Sequence, residues 1–156
     1  MQVDFYQLTR SPIDRVLPAI AERVLAGGGR LLVVSDNEAQ RAALDRALWT
    51  DKPDSFLPHG QAGGPHDGAQ PVLIAAAPEP ANGARQIALV DGQWRDEALG
   101  FDRALHFFDE AALEEARAAW RALAARGTPR NYWQQVEGRW EKAASSDTKE
   151  RNEETA

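Results

Sequence analysis

The chain has 156 residues, a formal net charge of −6 and no cysteine. One domain with a single core is expected at this length, and the missing cysteine excludes disulfides, thiolate metal sites and cysteine nucleophiles. No run of about 18 apolar residues occurs, and Met1-Gln2-Val3-Asp4-Phe5 lacks a basic region ahead of an apolar one, so neither a membrane span nor a signal peptide is expected and a cytoplasmic protein fits.

Val3-Asp4-Phe5-Tyr6-Gln7-Leu8 alternates and is rich in β-formers, which predicts a first strand. Ser11-Pro12-Ile13-Asp14 predicts a helix start with Ser11 at the cap and Pro12 at the first helical position. Ile13, Leu17, Ile20 and Val24 then recur at helical spacing, and Gly27-Gly28-Gly29 ends the helix. Arg30-Leu31-Leu32-Val33-Val34-Ser35 is almost continuously apolar, as expected of a strand covered on both faces. Asp36 or Asn37 caps the next helix, which runs to about Trp49. Strand and helix alternating in this order imply a parallel sheet with right-handed crossovers.

Beyond Trp49, Phe56-Leu57 is cut off at once by Pro58, which cannot donate to a sheet ladder. Residues 58–70 are rich in Gly and Pro and predict a loop. Strands are predicted at 71–76, 85–90 and 104–109, with a loop at 78–84 between the first two. A long Ala-rich helix follows from about Glu110 to Arg126 and is stopped by Gly127-Thr128-Pro129. Asn131-Tyr132-Trp133-Gln134-Gln135 opens a short last element, with helix as its reading. After Ala143 the chain is polar with no apolar stripe, so an α/β domain over 1–142 and a disordered tail over 143–156 are expected.

Motifs for catalysis are mostly missing. Gly27-Gly28-Gly29 follows a helix and precedes a strand, whereas a phosphate cradle needs a strand, then glycines, then a helix N-terminus. His59, His66 and Asp67 share one loop but match no common zinc spacing, so no metal and no other cofactor is expected. His106, inside an apolar strand, reads as a hydrogen-bonded core residue. Ser35 and Ser55 sit in no nucleophile elbow. Asp36 ends a strand where α/β enzymes place catalytic groups, but a helix cap accounts for it. No residue makes a positive case for an enzyme.

Charge is uneven. Residues 116–142 carry Arg117, Arg121, Arg126, Arg130, Arg139 and Lys142 against Glu137 and Glu141, a net +4 that leaves −10 on the rest. An acidic body disfavours broad DNA binding, whereas a local basic patch suits a small acidic ligand such as a carboxylate-rich peptide. On the last helix Leu113, Ala116, Trp120, Leu123 and Ala124 share one side, and Arg117 and Arg121 border it. An aromatic beside two guanidinium groups can hold an apolar side chain and a carboxylate together. Trp120 as core with the arginines as a solvated edge is the plainer reading of the same pattern. Trp49 and Phe56 likewise read either as partner anchors on a rigid rim or as packing against their own domain.

Several segments together resemble the chi subunit family of bacterial DNA polymerase III, an accessory protein of the clamp loader. They are Val3-Asp4-Phe5-Tyr6-Gln7-Leu8, Leu44-Asp45-Arg46-Ala47-Leu48-Trp49 followed by Ser55-Phe56-Leu57-Pro58-His59, the Gly-rich loop leading into Pro71-Val72-Leu73-Ile74, and Arg117, Trp120 and Arg121 with Gly127 behind them. The resemblance covers about Val3 to Glu141. It implies a three-layer α/β/α fold, Rossmann-like but without a phosphate loop, and no catalysis. It also implies two protein partners: the psi subunit or an equivalent clamp-loader component at Trp49 and Phe56, and the acidic C-terminal tail of single-stranded DNA-binding protein at Arg117, Trp120 and Arg121. No strong direct nucleic-acid binding and no membrane partner is implied. The rival readings are a nucleotide-dependent α/β enzyme and a direct single-stranded nucleic-acid binder.

Overall fold

The computed structural model describes residues 1–9, 11–50, 57–137 and 139–146. Eight strands form one sheet: β1 (Gln2–Gln7), β2 (Leu31–Val34), β3 (His59–Gln61), β4 (Val72–Ala75), β5 (Gln86–Leu89), β6 (Arg103–Phe108), β7 (Arg130–Val136) and β8 (Arg139–Ser145). Their order across the sheet is β3-β4-β2-β5-β6-β1-β7-β8. Every pairing is parallel except β7 with β8. Helices α1 (Ile13–Ala26) and α2 (Glu38–Thr50) cover one face, and α3 (Leu113–Ala125) covers the other. This is the expected three-layer α/β/α arrangement.

Strand alternation divides the core. On the α1/α2 side, Leu31, Val33, Val72, Ile74, Leu105 and Phe107 meet Leu17, Ile20, Leu44 and Leu48. On the α3 side, Val3, Phe5, Leu32, Val34, Ile87, Leu89 and Phe108 meet Ala116, Ala119 and Leu123. The central strands are buried on both faces, which is why they read as continuous apolar runs. Asp4, fully buried in β1, holds three strands together. Its carboxylate accepts from Arg103 Nε at 2.7 Å, Asn131 Nδ2 at 3.1 Å and Trp133 Nε1 at 3.1 Å.

Helix ends largely follow their signals. Asn37 caps α2 by accepting from the Gln40 N–H at 2.9 Å. Asp109 accepts from the Ala112 N–H and opens a 3₁₀ turn (Glu110–Ala112) that leads into α3. Gly127 takes a φ of 69° after α3, where the Thr128 N–H reaches back to the Leu123 carbonyl at 3.0 Å. Ser11 differs: α1 begins at Ile13 with Pro12 at the cap position and no side-chain cap bond. The Arg15 N–H bonds the Pro12 carbonyl instead.

Five other expectations are corrected. Residues 131–135 are not helical but lie within β7, because β1 offers an open parallel edge and Tyr132, Trp133 and Val136 suit a pleated strand. Ala143, Ala144 and Ser145, expected in a disordered tail, extend β8 by pairing with β7. Residues 147–156 of that tail lie outside the described residues. The predicted loop over 58–70 contains β3 and a 3₁₀ turn (Asp67–Ala69). His59, placed by sequence in a flexible loop, opens β3 and is buried. Lastly, His106 is buried as expected, yet neither of its ring nitrogens has a hydrogen-bond partner among the described residues. It packs among Phe5, Trp94 and Phe108, whose rings offer it no acceptor.

Candidate partner-binding surfaces

The sheet brings Trp120 and the two arginines to an open cavity of about 380 Å³ between α3 and the β1-β7-β8 edge. Leu113, Arg117, Trp120 and Arg121 line it from α3, Gln7 from β1, Tyr132 and Gln134 from β7, and Ala144 from β8. Trp120 is half-buried, with its ring edge-on to Phe5 at 5.3 Å and to Tyr132 at 5.9 Å. The guanidinium carbon of Arg130 lies 4.5 Å from the Trp120 ring centroid. Trp120 is therefore both core and cavity wall, so the two readings of this helix face meet in one side chain.

Arg117 and Arg121 are exposed on the cavity rim. Arg117 holds an ion pair with Glu114 at 3.2 Å, one helical turn back, with both side chains largely in solvent. That pair is weak enough to be exchanged for another carboxylate. On the floor, the Tyr132 hydroxyl donates to Gln7 Oε1 at 2.6 Å, and Gln134 Nε2 donates to the same oxygen at 3.3 Å. Burial pushes the Tyr132 phenol above its ordinary pKa, so the donor stays protonated. A cavity with an aromatic wall, a fixed polar floor and a cationic rim suits a ligand with an apolar group and a carboxylate. Sequence reasoning missed Gln7, Tyr132 and Gln134, because their role depends on β7 lying beside β1.

The second surface lies at the far end of the sheet. Trp49, at the end of α2, is 54% exposed. Its ring stands edge-on to the buried His59 at 5.1 Å. His59 Nδ1 lies 2.6 Å from the Leu57 carbonyl, and Nε2 lies 3.1 Å from both the carbonyl and the carboxylate of Asp45. The imidazole thus ties the chain entering β3 to α2 and backs the Trp49 ring. Phe56, the other residue assigned to this surface, lies outside the described residues.

A larger crevice of about 630 Å³ opens at the carboxyl ends of β1, β2, β5 and β6, where doubly wound folds place nucleotides. Its polar groups are engaged with one another. Arg95 grips Asp91 through two hydrogen bonds of 2.9 and 2.7 Å, Gln93 Nε2 donates to Asp36, and Gln40 Nε2 donates to the Val90 carbonyl. Burial opposes ionisation of Asp91, but hydrogen bonds from Arg95 and from the Asp36 and Gln93 backbone outweigh it and hold the carboxyl below its ordinary pKa. Asp36, Asp91 and Asp109 make the crevice a poor host for phosphates. Among the described residues no group of three His, Cys, Asp or Glu side chains could hold a metal ion, and no helix is long and apolar enough to cross a membrane.

Comparison with known proteins agrees with the sequence resemblance. Residues 1–131 match the family described as DNA polymerase III chi subunit, HolC. The chain is 31% identical over 121 residues to the DNA polymerase III subunit chi of Escherichia coli (strain K12), an alignment spanning 75% of this chain and 82% of that one. It is 25% identical to the Haemophilus influenzae subunit chi over 79% of this chain and 90% of that one. To the Pseudomonas aeruginosa subunit chi it is 32% identical, over 52% of this chain and 58% of that one. With its parallel sheet, its helices on both faces and a match from residue 1 to the start of β7, the chain belongs to the DNA polymerase III chi subunit family.

Proposed function

We propose that this chain is a non-catalytic adaptor that tethers the clamp loader to DNA coated with single-stranded DNA-binding protein. The observation that carries the proposal is the cavity where Trp120 forms a wall and Arg117 and Arg121 form the rim. An acidic tail ending in an aromatic residue has the chemistry to fill it: a ring against Trp120 and carboxylates against the arginines. At the other end of the sheet, Trp49 anchors psi or an equivalent clamp-loader component, and the sequence assigns Phe56 to the same partner. Two modest sites suffice for tethering, because joining them on one body raises the effective concentration of each partner near the other.

The acidic crevice speaks against the nucleotide-enzyme reading, since three carboxylates stand where a polyphosphate would lie. The acidic body speaks against a general nucleic-acid binder. The deciding experiment is calorimetric titration with an acidic peptide ending in phenylalanine, beside a bare oligothymidine of similar charge. The peptide is expected to bind, and to bind less tightly as salt rises. An oligonucleotide that binds as tightly as the peptide would overturn the adaptor reading.

A further inference from the structure

The sheet has two ends, and they differ. At one, β3 is only 3 residues long. At the other, β8 has 7 residues and pairs with β7 along one side, with no strand among the described residues on its other side. Most of β8 is exposed. A long edge strand of this kind carries unpaired backbone donors and acceptors and is a template for one more strand. The strand also lies beyond the stretch that matches the family, which ends at Asn131.

β8 is continuous with the Trp120 cavity. The register slips between Tyr132 and Trp133, so that Tyr132 faces Ala144, Trp133 faces Lys142, and Ala143 is the extra residue of a bulge. The bulge keeps Ala144 on the α3 side, where it forms the low outer rim of the cavity. A methyl group there leaves an open path from the cavity to the free edge. The regular part of the strand, Arg139 to Lys142, has two cations and one anion. Trp140 packs edge-on to Tyr6 at 5.1 Å, and Lys142 Nζ lies 5.4 Å from the Trp133 ring centroid, both on the α1/α2 side.

We infer that the free edge of β8 pairs, strand to strand, with the extended acidic peptide whose end occupies the Trp120 cavity. This rests on the proposed reading of that cavity and adds a second, main-chain contact to it. Arg117, Trp120 and Arg121 select the peptide's end, and the β8 backbone grips the preceding residues with little regard for their side chains. An acidic segment suits this edge because Arg139 and Lys142 outnumber Glu141.

Hydrogen exchange on the full chain tests it, using a ten-residue peptide of alternating aspartate and serine ending in phenylalanine and its four-residue C-terminal fragment. Saturation with the long peptide is expected to slow exchange at alternate amides of Arg139–Ala144 by tenfold or more, while the short fragment fills the cavity and leaves those amides unchanged. N-methylation of alternate backbone nitrogens in the long peptide should weaken it three- to tenfold, towards the short fragment. Cavity binding of the long peptide without β8 protection overturns this inference alone. Failure of both peptides to bind overturns it together with the cavity reading. Protection of β8 that rises with protein concentration and needs no peptide assigns the edge to a second copy of this chain, and overturns it as well.

Discussion

Two tryptophans end up in opposite circumstances. Trp49 projects from the last turn of α2, 54% exposed, with the buried His59 behind it. Trp120 is wedged between Phe5, Tyr132 and Arg130, with only part of its ring facing the cavity. Both follow Ala- and Leu-rich helical sequence, and their local patterns are alike. What separates them is the sheet beneath. α3 lies over strands whose aromatic residues rise to meet it, while α2 ends against the short β3, whose buried His59 backs the indole. A projecting ring is available to a partner at little structural cost, whereas a wedged ring links binding to folding.

The most forceful way to sharpen that contrast is Trp120→Ala. Removing a mostly buried indole from a packed aromatic group should cost about 3 kcal/mol of stability, at the lower end for such truncations because part of the ring is open. Chemical denaturation measures this, and acidic-peptide binding should vanish with it. Trp120→Phe separates the two effects, keeping most of the stability while weakening the peptide several-fold. Loss of less than about 1 kcal/mol for the alanine variant would put Trp120 in the same class as Trp49.

The Trp120 side of the core also carries the pH sensitivity. His106 touches Phe5, which touches Trp120, and burial pushes the imidazole down to about 4. Its folded-state pKa lies below the unfolded value of 6.5, so the unfolded chain binds the extra proton in the window between them. The contribution is fully present above 6.5 and lost as pH falls from there towards 4, by roughly 3 kcal/mol in all. His106→Phe should remove this component, and it leaves no orphaned nitrogen behind. Denaturation at pH 7 and pH 4.5 checks it: wild type should lose about 2–3 kcal/mol more than the variant between the two. Asp91, held below its ordinary carboxyl value, titrates beneath that window and does not confuse the comparison. Equal slopes for the two proteins would mean that His106 is solvated or partnered in solution.

The two regions also differ in how far the sequence announced them. The strands of residues 31–34 and 72–75 were legible because burial on both faces leaves an unbroken apolar run, and that of residues 86–89 because only its first residue, Gln86, breaks one. The β7-β8 hairpin was not. Asn131-Tyr132-Trp133-Gln134-Gln135 has large and polar residues on both faces, since one face meets the Trp120 cavity and the other meets Trp140 and Asp4. A strand whose two faces meet different partners loses the simple alternation that would mark it. The signal that could have found it is the sequence pair Glu137-Gly138, turn-forming in type and set between β-forming segments; Glu137 takes a left-handed φ of 51°. On the cavity, the helix contribution was visible from spacing on α3, but Gln7, Tyr132, Gln134 and Ala144 arrive from strands whose neighbours no local pattern names. His106 was placed correctly in the core, but its lack of a hydrogen-bond partner depends on which rings surround it, a three-dimensional fact.

A gentler probe of the Trp120 side is Arg117→Ala. The guanidinium is more than half exposed and already shares itself with Glu114, so solvent and that neighbour both discount its value to a ligand. A loss of about 1 kcal/mol in peptide affinity is expected, with unchanged stability. Glu114→Gln should move affinity the other way by a few tenths of a kcal/mol, because it frees Arg117. Calorimetry at low and high salt reads both. A peptide indifferent to both substitutions would place its carboxylates on Arg121 or Arg130 instead.

At Trp49→Ala a small structural effect is expected beside a large partner effect. Most of the indole is already in water, so its loss should change stability by no more than about 0.5 kcal/mol. His59 remains anchored to Leu57 and Asp45 without it. Co-purification with a clamp-loader component should nevertheless fail, because an anchor that fills a pocket on a partner contributes little to its own fold. Acidic-peptide binding at the opposite end of the sheet should be untouched. If the variant unfolds more readily by over 1.5 kcal/mol, Trp49 belongs with Trp120 as a structural ring, and the contrast between the two ends of the sheet rests on exposure alone.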